Sequence, residues 1–191
     1  MNKKIFSWSL VAMVVLMLSG VVVASAQEFS ADMESRAGKE AMNAKIYVSG
    51  EKVRMEMPES VMIIRNDRKI SLMVMPSEKM YMENPIDTSR APKVGKNFDN
   101  ELERVSLGQE TVNDQQTEKF KVAYMEKGKK VEAYQWLTGG IIPVKVEAVD
   151  GSWSMDYKNL KVGAQAESLF EPPDGFTKME MPNLKNLMGG F

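Results

Sequence analysis

The sequence predicts an all-β fold: a single antiparallel sheet of about ten or eleven strands, curled into a barrel or half-barrel, with little helix. Three observations carry this reading. Apolar and polar residues alternate with period two along most of the chain, the pattern of strands with one dry face and one wet face. Turn signals interrupt that alternation roughly every 8–12 residues. No long helical period and no internal repeat competes with it.

The first 26 residues lie outside that fold. Lys3 and Lys4 form a positive start. Ile5 to Val23 is an apolar run interrupted by Ser7, Trp8, Ser9, Ser19 and Gly20, and Ala24-Ser25-Ala26 offers the small residues a signal peptidase needs. The expectation is an exported chain cleaved after Ala26, with the mature protein starting at Gln27. A retained anchor is the alternative, because the run is long enough to span a bilayer. N-terminal sequencing separates the two: Gln27 supports cleavage, and Met1 on membrane-extracted protein restores the anchor.

The sequence has no Cys, hence no lipid-bearing cysteine and no disulfide. Export without disulfides points to a bacterial periplasm rather than to a small stapled scaffold. Lys and Arg number 25 against 26 Asp and Glu, a balance that implies neither nucleic acid nor an anionic membrane surface. His is absent as well, which removes the commonest general base and the commonest metal ligand. The expected organisation is a signal peptide over 1–26, a curved-sheet domain over 27–181 and a tail over 182–191.

Taken in order, Phe29 to Arg36 and Glu40 to Val48 read as a strand pair joined around Gly38, with Met42, Ala44, Ile46 and Val48 on one face. Ser49-Gly50-Glu51 turns into Lys52 to Met57, where Val53, Met55 and Met57 alternate with Lys52, Arg54 and Glu56. Val61 to Ile64 is a continuous apolar run, as in a strand covered on both sides. Asn66-Asp67 and Pro76-Ser77-Glu78 then turn the chain into strands over Lys69 to Met75 and Lys79 to Glu83. Asn84 to Asn100, with Pro85, Pro92 and Gly95, reads as a long loop, and loops of that length are usually functional or mobile.

The alternation resumes from Leu102 to Val112, turns at Asn113-Asp114-Gln115 and continues through Thr117 to Met125. A three-strand meander follows. Val131 to Leu137 ends at Gly139-Gly140. Ile142 to Val149 sets Ile142, Val144, Val146 and Ala148 against Lys145 and Glu147. Asp150-Gly151 is a strong hairpin signal, and Ser152 to Leu160 sets Trp153, Met155 and Tyr157 against Ser154, Asp156 and Lys158. Pro143 lacks a ladder N–H and belongs at the strand's first turn or a bulge. Ala164 to Phe170 reads as a helical turn halted by Pro172-Pro173, and Phe176 to Met181 as a last strand.

Methionine is the anomaly. Of 17 methionines, three lie in the first 26 residues, and nine fall between Met33 and Met82. Four pairs are spaced M-x-M: Met55/Met57, Met73/Met75, Met80/Met82 and Met179/Met181. On a strand each pair points one way. Thioethers suit Cu(I), so a soft-metal module is one reading. The other is an apolar lining, since Met adapts to variable partners and acyl chains. The lining reading is preferred, because Met55 and Met57 continue the Val53 face, no His completes a metal site, and the pairs fall on several strands.

No catalytic constellation is present. Glu101 and Glu103 flank a loop, and no Ser has a His to activate it. The basic clusters Arg65-Arg68-Lys69 and Lys127-Lys129-Lys130 fall at turns, where solvated charge is expected. A membrane β-barrel is disfavoured, because strands of about six to eight residues fall short of a span.

The C-terminal half carries a resemblance. Leu107-Gly108-Gln109-Glu110-Thr111-Val112, then Thr117-Glu118-Lys119-Phe120, Trp136, Ile142-Pro143-Val144-Lys145, Tyr157-Lys158-Asn159-Leu160, and Leu169-Phe170-Glu171-Pro172-Pro173-Asp174-Gly175-Phe176 together resemble the lipoprotein-carrier-like (LolA/LolB-like) superfamily. More narrowly they resemble its uncharacterised exported branch, over roughly residues 28–181. The resemblance implies a curved antiparallel sheet, an incomplete barrel, whose concave face holds acyl chains or another hydrophobic ligand. Carriers of this kind begin with an amphipathic helix and close the cavity with further helices, whereas this chain enters a strand at once. No arginine is carried over as a lid latch.

The reading is therefore a periplasmic, non-enzymatic binding protein for a lipid or lipidated protein, without cofactor and with peripheral membrane contact compatible. Its alternatives are a Met-rich Cu(I) module and an envelope-stress sensor or adaptor with a protein partner. The residues assigned to the cavity lining are Val53, Met55, Met57, Met73, Met75, Met80, Met82, Trp136, Trp153 and Met155. Two segments are candidates to cover that cavity, singly or together: the Asn84 to Asn100 loop and the tail Pro182 to Phe191, which is flexible or a short helix with Leu184, Leu187 and Met188 on one face.

Overall fold

The computed structural model describes residues 28–86, 97–98, 100–126 and 128–179. The expected signal peptide, the tail and all but the ends of the long loop lie outside them. Twelve strands form one sheet: β1 (Glu28–Ala37), β2 (Glu40–Ser49), β3 (Lys52–Glu56), β4 (Val61–Arg65), β5 (Ile70–Met75), β6 (Met80–Pro85), β7 (Glu101–Val112), β8 (Gln115–Glu126), β9 (Lys129–Thr138), β10 (Ile142–Ala148), β11 (Trp153–Val162) and β12 (Thr177–Lys178). The order is β12-β6-β5-β4-β3-β2-β1-β11-β10-β9-β8-β7. Two meanders, β1 to β6 and β7 to β11, are thus joined by pairing of β1 with β11.

The sheet is open and curved, not closed into a barrel. Among the described residues its ends, β12 and β7, do not pair. Several strands exceed the expected six to eight residues, with β7 and β8 reaching 12. The count is one above the expected range, and the expected last strand, Phe176 to Met181, is the two-residue β12, which adds to β6 in parallel after the chain has crossed the sheet rather than through a hairpin.

Local chemistry sets the turns. Asn113 and Asp114 both take positive φ, 49° and 61°, as a two-residue turn matching strand twist requires. Gly139 and Gly140 do the same at 56° and 73°. Lys69 and Lys79 are left-handed, so β5 and β6 begin one residue later than the alternation suggested. Pro143 sits at a register shift in β10, as its missing N–H demands.

Register divides the side chains between two faces. One carries Phe29, Ala31 and Met33 of β1, Ala44, Ile46 and Val48 of β2, Val53, Ile64, Ile142 and Tyr157, packed as one cluster with Met55, Met62, Met155, Leu160 and Ile86 around it. We call it the inner face. Phe29 is 0% exposed and Ile46 1%, although the described residues supply no second layer over them. The sheet's own curl buries them, and Asn113 at the β7–β8 tip donates to the Tyr157 carbonyl at 3.0 Å.

The outer face of β4 and β5 holds a second cluster: Val61, Ile63, Leu72 and Val74 beneath Phe170. Phe170 ends a 3-10 turn, Glu167–Phe170, within a strap that runs from β11 across β3 and β4 to β12. The run Val61 to Ile64 is apolar throughout because Val61 and Ile63 lie beneath Phe170 while Met62 and Ile64 face the inner cluster.

Candidate functional site

Along β1, β2 and the Tyr157-to-Trp153 part of β11, burial on the inner face falls toward one end of the strands. On β2 the sequence of inward positions is Val48, Ile46, Ala44 and Met42, and exposure rises from 1% at Val48 to 42% at Met42. On β1 and β11 it runs from Phe29 to Ser35 and from Tyr157 through Met155 to Trp153, again from buried to half-buried. One end of the cup is a packed floor and the other an accessible mouth.

Methionine fills the mouth over β3 to β6. Met55 pairs with Met62, Met62 with Met73, and Met73 with Met82. These four residues stand directly opposite one another on four consecutive strands, a row about 14 Å long at ordinary strand spacing. Met75 opposite Met80 forms the next level, and Met57, whose N–H donates to the Ser60 carbonyl at 2.9 Å, closes the β3 end. All seven are half-buried. The inward positions of β3 to β6 carry no charged side chain, because Lys52, Arg54, Glu56, Arg65 and Glu83 point outward with Tyr47, Ile63 and Leu72.

Of the ten residues assigned to the lining, Met55, Met57, Met73, Met75, Met80, Met82, Trp153 and Met155 share this face. Val53 shares it too but is 4% exposed and belongs to the packed floor. Trp136 is a correction. It pairs with Lys119 and Lys145, on the outer face. Period two in β9 sends Val131, Ala133, Gln135 and Leu137 inward and leaves Glu132, Tyr134 and Trp136 outside.

Trp136 is nonetheless buried, because Lys119 and Lys145 lie over its ring at 4.5 and 4.9 Å and its indole N–H donates to Glu110. That hydrogen bond, with Lys119 beside it, holds the Glu110 carboxyl below the usual range. Met62 and Met42 were missed, since neither belongs to an M-x-M pair. The three pairs on β3, β5 and β6 are also not dispersed, as their sequence positions suggested. With Met62 between them they form one patch.

The opposite wall, on β7 to β9, is polar and aromatic. Gln135, 2% exposed, accepts from Arg104 Nη1 at 2.8 Å. Arg104 grips Glu101 through Nε and Nη2 at 2.9 and 2.8 Å and lies 5.1 Å from the Phe120 ring centroid. Phe98 stacks on Tyr124 at 4.7 Å, and burial pushes the Tyr124 hydroxyl up. Among the described residues no three His, Cys, Asp or Glu side chains gather as metal ligands, and the sequence holds no His or Cys.

The model of a family described as a domain of unknown function, DUF4412, matches residues 21–146. The chain belongs to this family. No curated protein matches it.

Solved structures do. One is PNGF-II, at 10% identity and TM-score 0.46, covering 84% of this chain and 32% of that one. A second is the Pseudomonas aeruginosa MucA/MucB complex, at 12% identity and TM-score 0.45, covering 77% of this chain and 56% of that one. A third is a putative outer membrane lipoprotein-sorting protein domain from Vibrio parahaemolyticus, at 13% identity and TM-score 0.32, covering 75% and 89%. The chain thus spans less than two thirds of the first two. At these identities and TM-scores none bears on what this DUF4412 chain binds.

Proposed function

We propose that this chain is a non-enzymatic binding protein of the bacterial envelope, exported to the periplasm, which holds an acyl chain of a lipid or lipidated protein in the mouth of the inner face. One observation carries the reading: register gathers seven half-buried methionines onto one uncharged patch at the open end of a packed floor. Burying apolar surface there contributes roughly 25 cal/mol per Å², and flexible thioether side chains conform to a chain of variable shape. Contiguous apolar patches of this kind on a soluble monomer mark interaction sites.

Native mass spectrometry of protein purified from its own periplasm tests it. A co-purifying lipid mass, displaced by added fatty acid, is the expected result. A chain that carries no lipid and fails to bind a fluorescent fatty acid overturns the reading.

The adaptor reading has one observation in its favour. Edge strand β7 exposes Leu102, Val105 and Leu107, a surface on which a partner strand could add. Register shifts at Leu102 and Leu107 work against it, because bulges blunt edges. Cross-linking from Val105 in the periplasm decides whether a protein partner docks there.

A further inference from the structure

We propose that the methionine row on β3 to β6 is a site for a soft monovalent metal ion, Cu(I), held by thioether sulfurs alone. The inference stands apart from acyl-chain binding and concerns a second activity of the same wall.

Geometry comes first. Met55, Met62, Met73 and Met82 occupy directly opposed positions on consecutive strands. Opposed side chains in a sheet have Cβ atoms about 5 Å apart. Each Met sulfur lies two bonds beyond its Cβ and turns about two torsions, so sulfurs from three neighbouring rungs can converge on one ion. Met75, Met80 and Met57 stand next to the row and offer further ligands.

Residue choice comes second. The floor of the same face is built from Phe29, Ile46, Val48, Val53 and Ile64, whereas the mouth over β3 to β6 uses methionine. Any aliphatic residue supplies apolar area, but only methionine also supplies a soft donor. Among the described residues, the inward positions of β3 to β6 present no lysine or arginine to repel a cation and no carboxylate to attract a hard one. It therefore discriminates by softness: Cu(I) and its redox-inert analogue Ag(I) bind, and Zn(II) and Mg(II) do not. A thioether has no proton to lose, so affinity stays level where carboxylate or imidazole sites would titrate.

The test is anaerobic titration of the full mature protein with Cu(I) against a chromogenic chelator, with Ag(I) followed by native mass spectrometry. The wild type should take up Cu(I) and Ag(I), with affinity flat between about pH 5 and 8. The variant M62L/M73L keeps volume and apolarity; it should melt as the wild type does and lose Cu(I) affinity at least tenfold. M125L, on the outer face of β8, should leave Cu(I) affinity unchanged. Undiminished Cu(I) binding by M62L/M73L, or no binding by the wild type, overturns the proposal. So does equal uptake of Zn(II). A wild type that binds fluorescent fatty acid but no Cu(I) loses this proposal and keeps the previous one.

Discussion

Arg65 and Glu171, 106 positions apart in the chain, form an ion pair on the outer face of the sheet. Arg65 is 4% exposed. Its Nη1 also donates to the Phe170 carbonyl at 3.2 Å, and its Nε and Nη2 hold Asp67 at 2.9 and 2.7 Å. Arg68 grips the same Glu171 carboxylate at 2.7 and 2.9 Å. Nearby, Arg54 donates to the Leu169 carbonyl at 2.9 Å and Lys52 pairs with Glu167. The cluster fastens the strap, and the strap keeps Phe170 over the outer apolar cluster.

Arg65→Ala should therefore cost about 2–3 kcal/mol, because hydrogen bonds to a charged, buried group are lost and the Phe170 carbonyl is left without this donor. Urea unfolding measures the loss. Hydrogen exchange should localise it, with the Thr177 and Met179 amides, bonded to the Lys79 and Tyr81 carbonyls, losing protection first. Unchanged protection there would show that the strap does not depend on Arg65.

The same cluster sets an acid limit. Hydrogen bonds from Arg65 pull the Asp67 carboxyl below its usual range against some desolvation. Partial burial pushes Glu171 up, but Arg68 and Arg65 pull it down further, and it ends lowered. Both carboxyls bind protons less readily folded than unfolded. Their stabilisation is complete above the unfolded range, about pH 4–4.5, and is lost as pH falls through the lower folded values. The urea midpoint should be level from about pH 5 to 8 on their account and fall below pH 4. Glu171→Gln should make that fall shallower.

Much of this arrangement was legible in the chain, and the gaps have physical causes. Val144, Val146 and Ala148 alternate cleanly with Lys145 and Glu147, and they face as that alternation says. Each M-x-M pair on β3, β5 and β6 reveals its own sidedness. Nothing local reveals that β3 to β6 are neighbours in order, so the row through Met62 emerges only from strand pairing. In β9 both faces carry large apolar groups, Leu137 on one and Trp136 on the other, and bulk misled where period alone would have served. Arg65 read as solvated because its partners Phe170 and Glu171 lie more than a hundred residues away. Its odd-numbered place in line with Val61 and Ile63, on a covered face, was the available sign.

Chemistry on the inner face can be varied without disturbing the fold. Met55→Leu with Met57→Leu conserves volume and should cost under about 1.5 kcal/mol, leaving fatty-acid binding near the wild-type level. Met73→Glu places a charge between Met62 and Met82 and should weaken fluorescent fatty-acid binding by about tenfold or more, since burying an unpaired carboxylate is costly. Equal binding by the Met73→Glu protein would move the ligand elsewhere.

The two tryptophans of the 28–179 region report on opposite faces. Trp153 is opposite Ala37 at the mouth, whereas Trp136 is covered by Lys119 and Lys145 on the outside. A fatty acid brominated along its chain quenches only an indole it approaches. In a chain that starts at Gln27, and so lacks Trp8, Trp136→Phe leaves Trp153 as the sole indole, and Trp153→Phe leaves Trp136. The first variant should be quenched on titration and the second should not. Trp136→Phe removes the donor to Glu110 and weakens two cation–π contacts, costing about 1–2 kcal/mol, so its melting curve must show a folded chain at the temperature used. Quenching of Trp136 with Trp153 silent would place the acyl chain on the outer face and end the inner-face assignment.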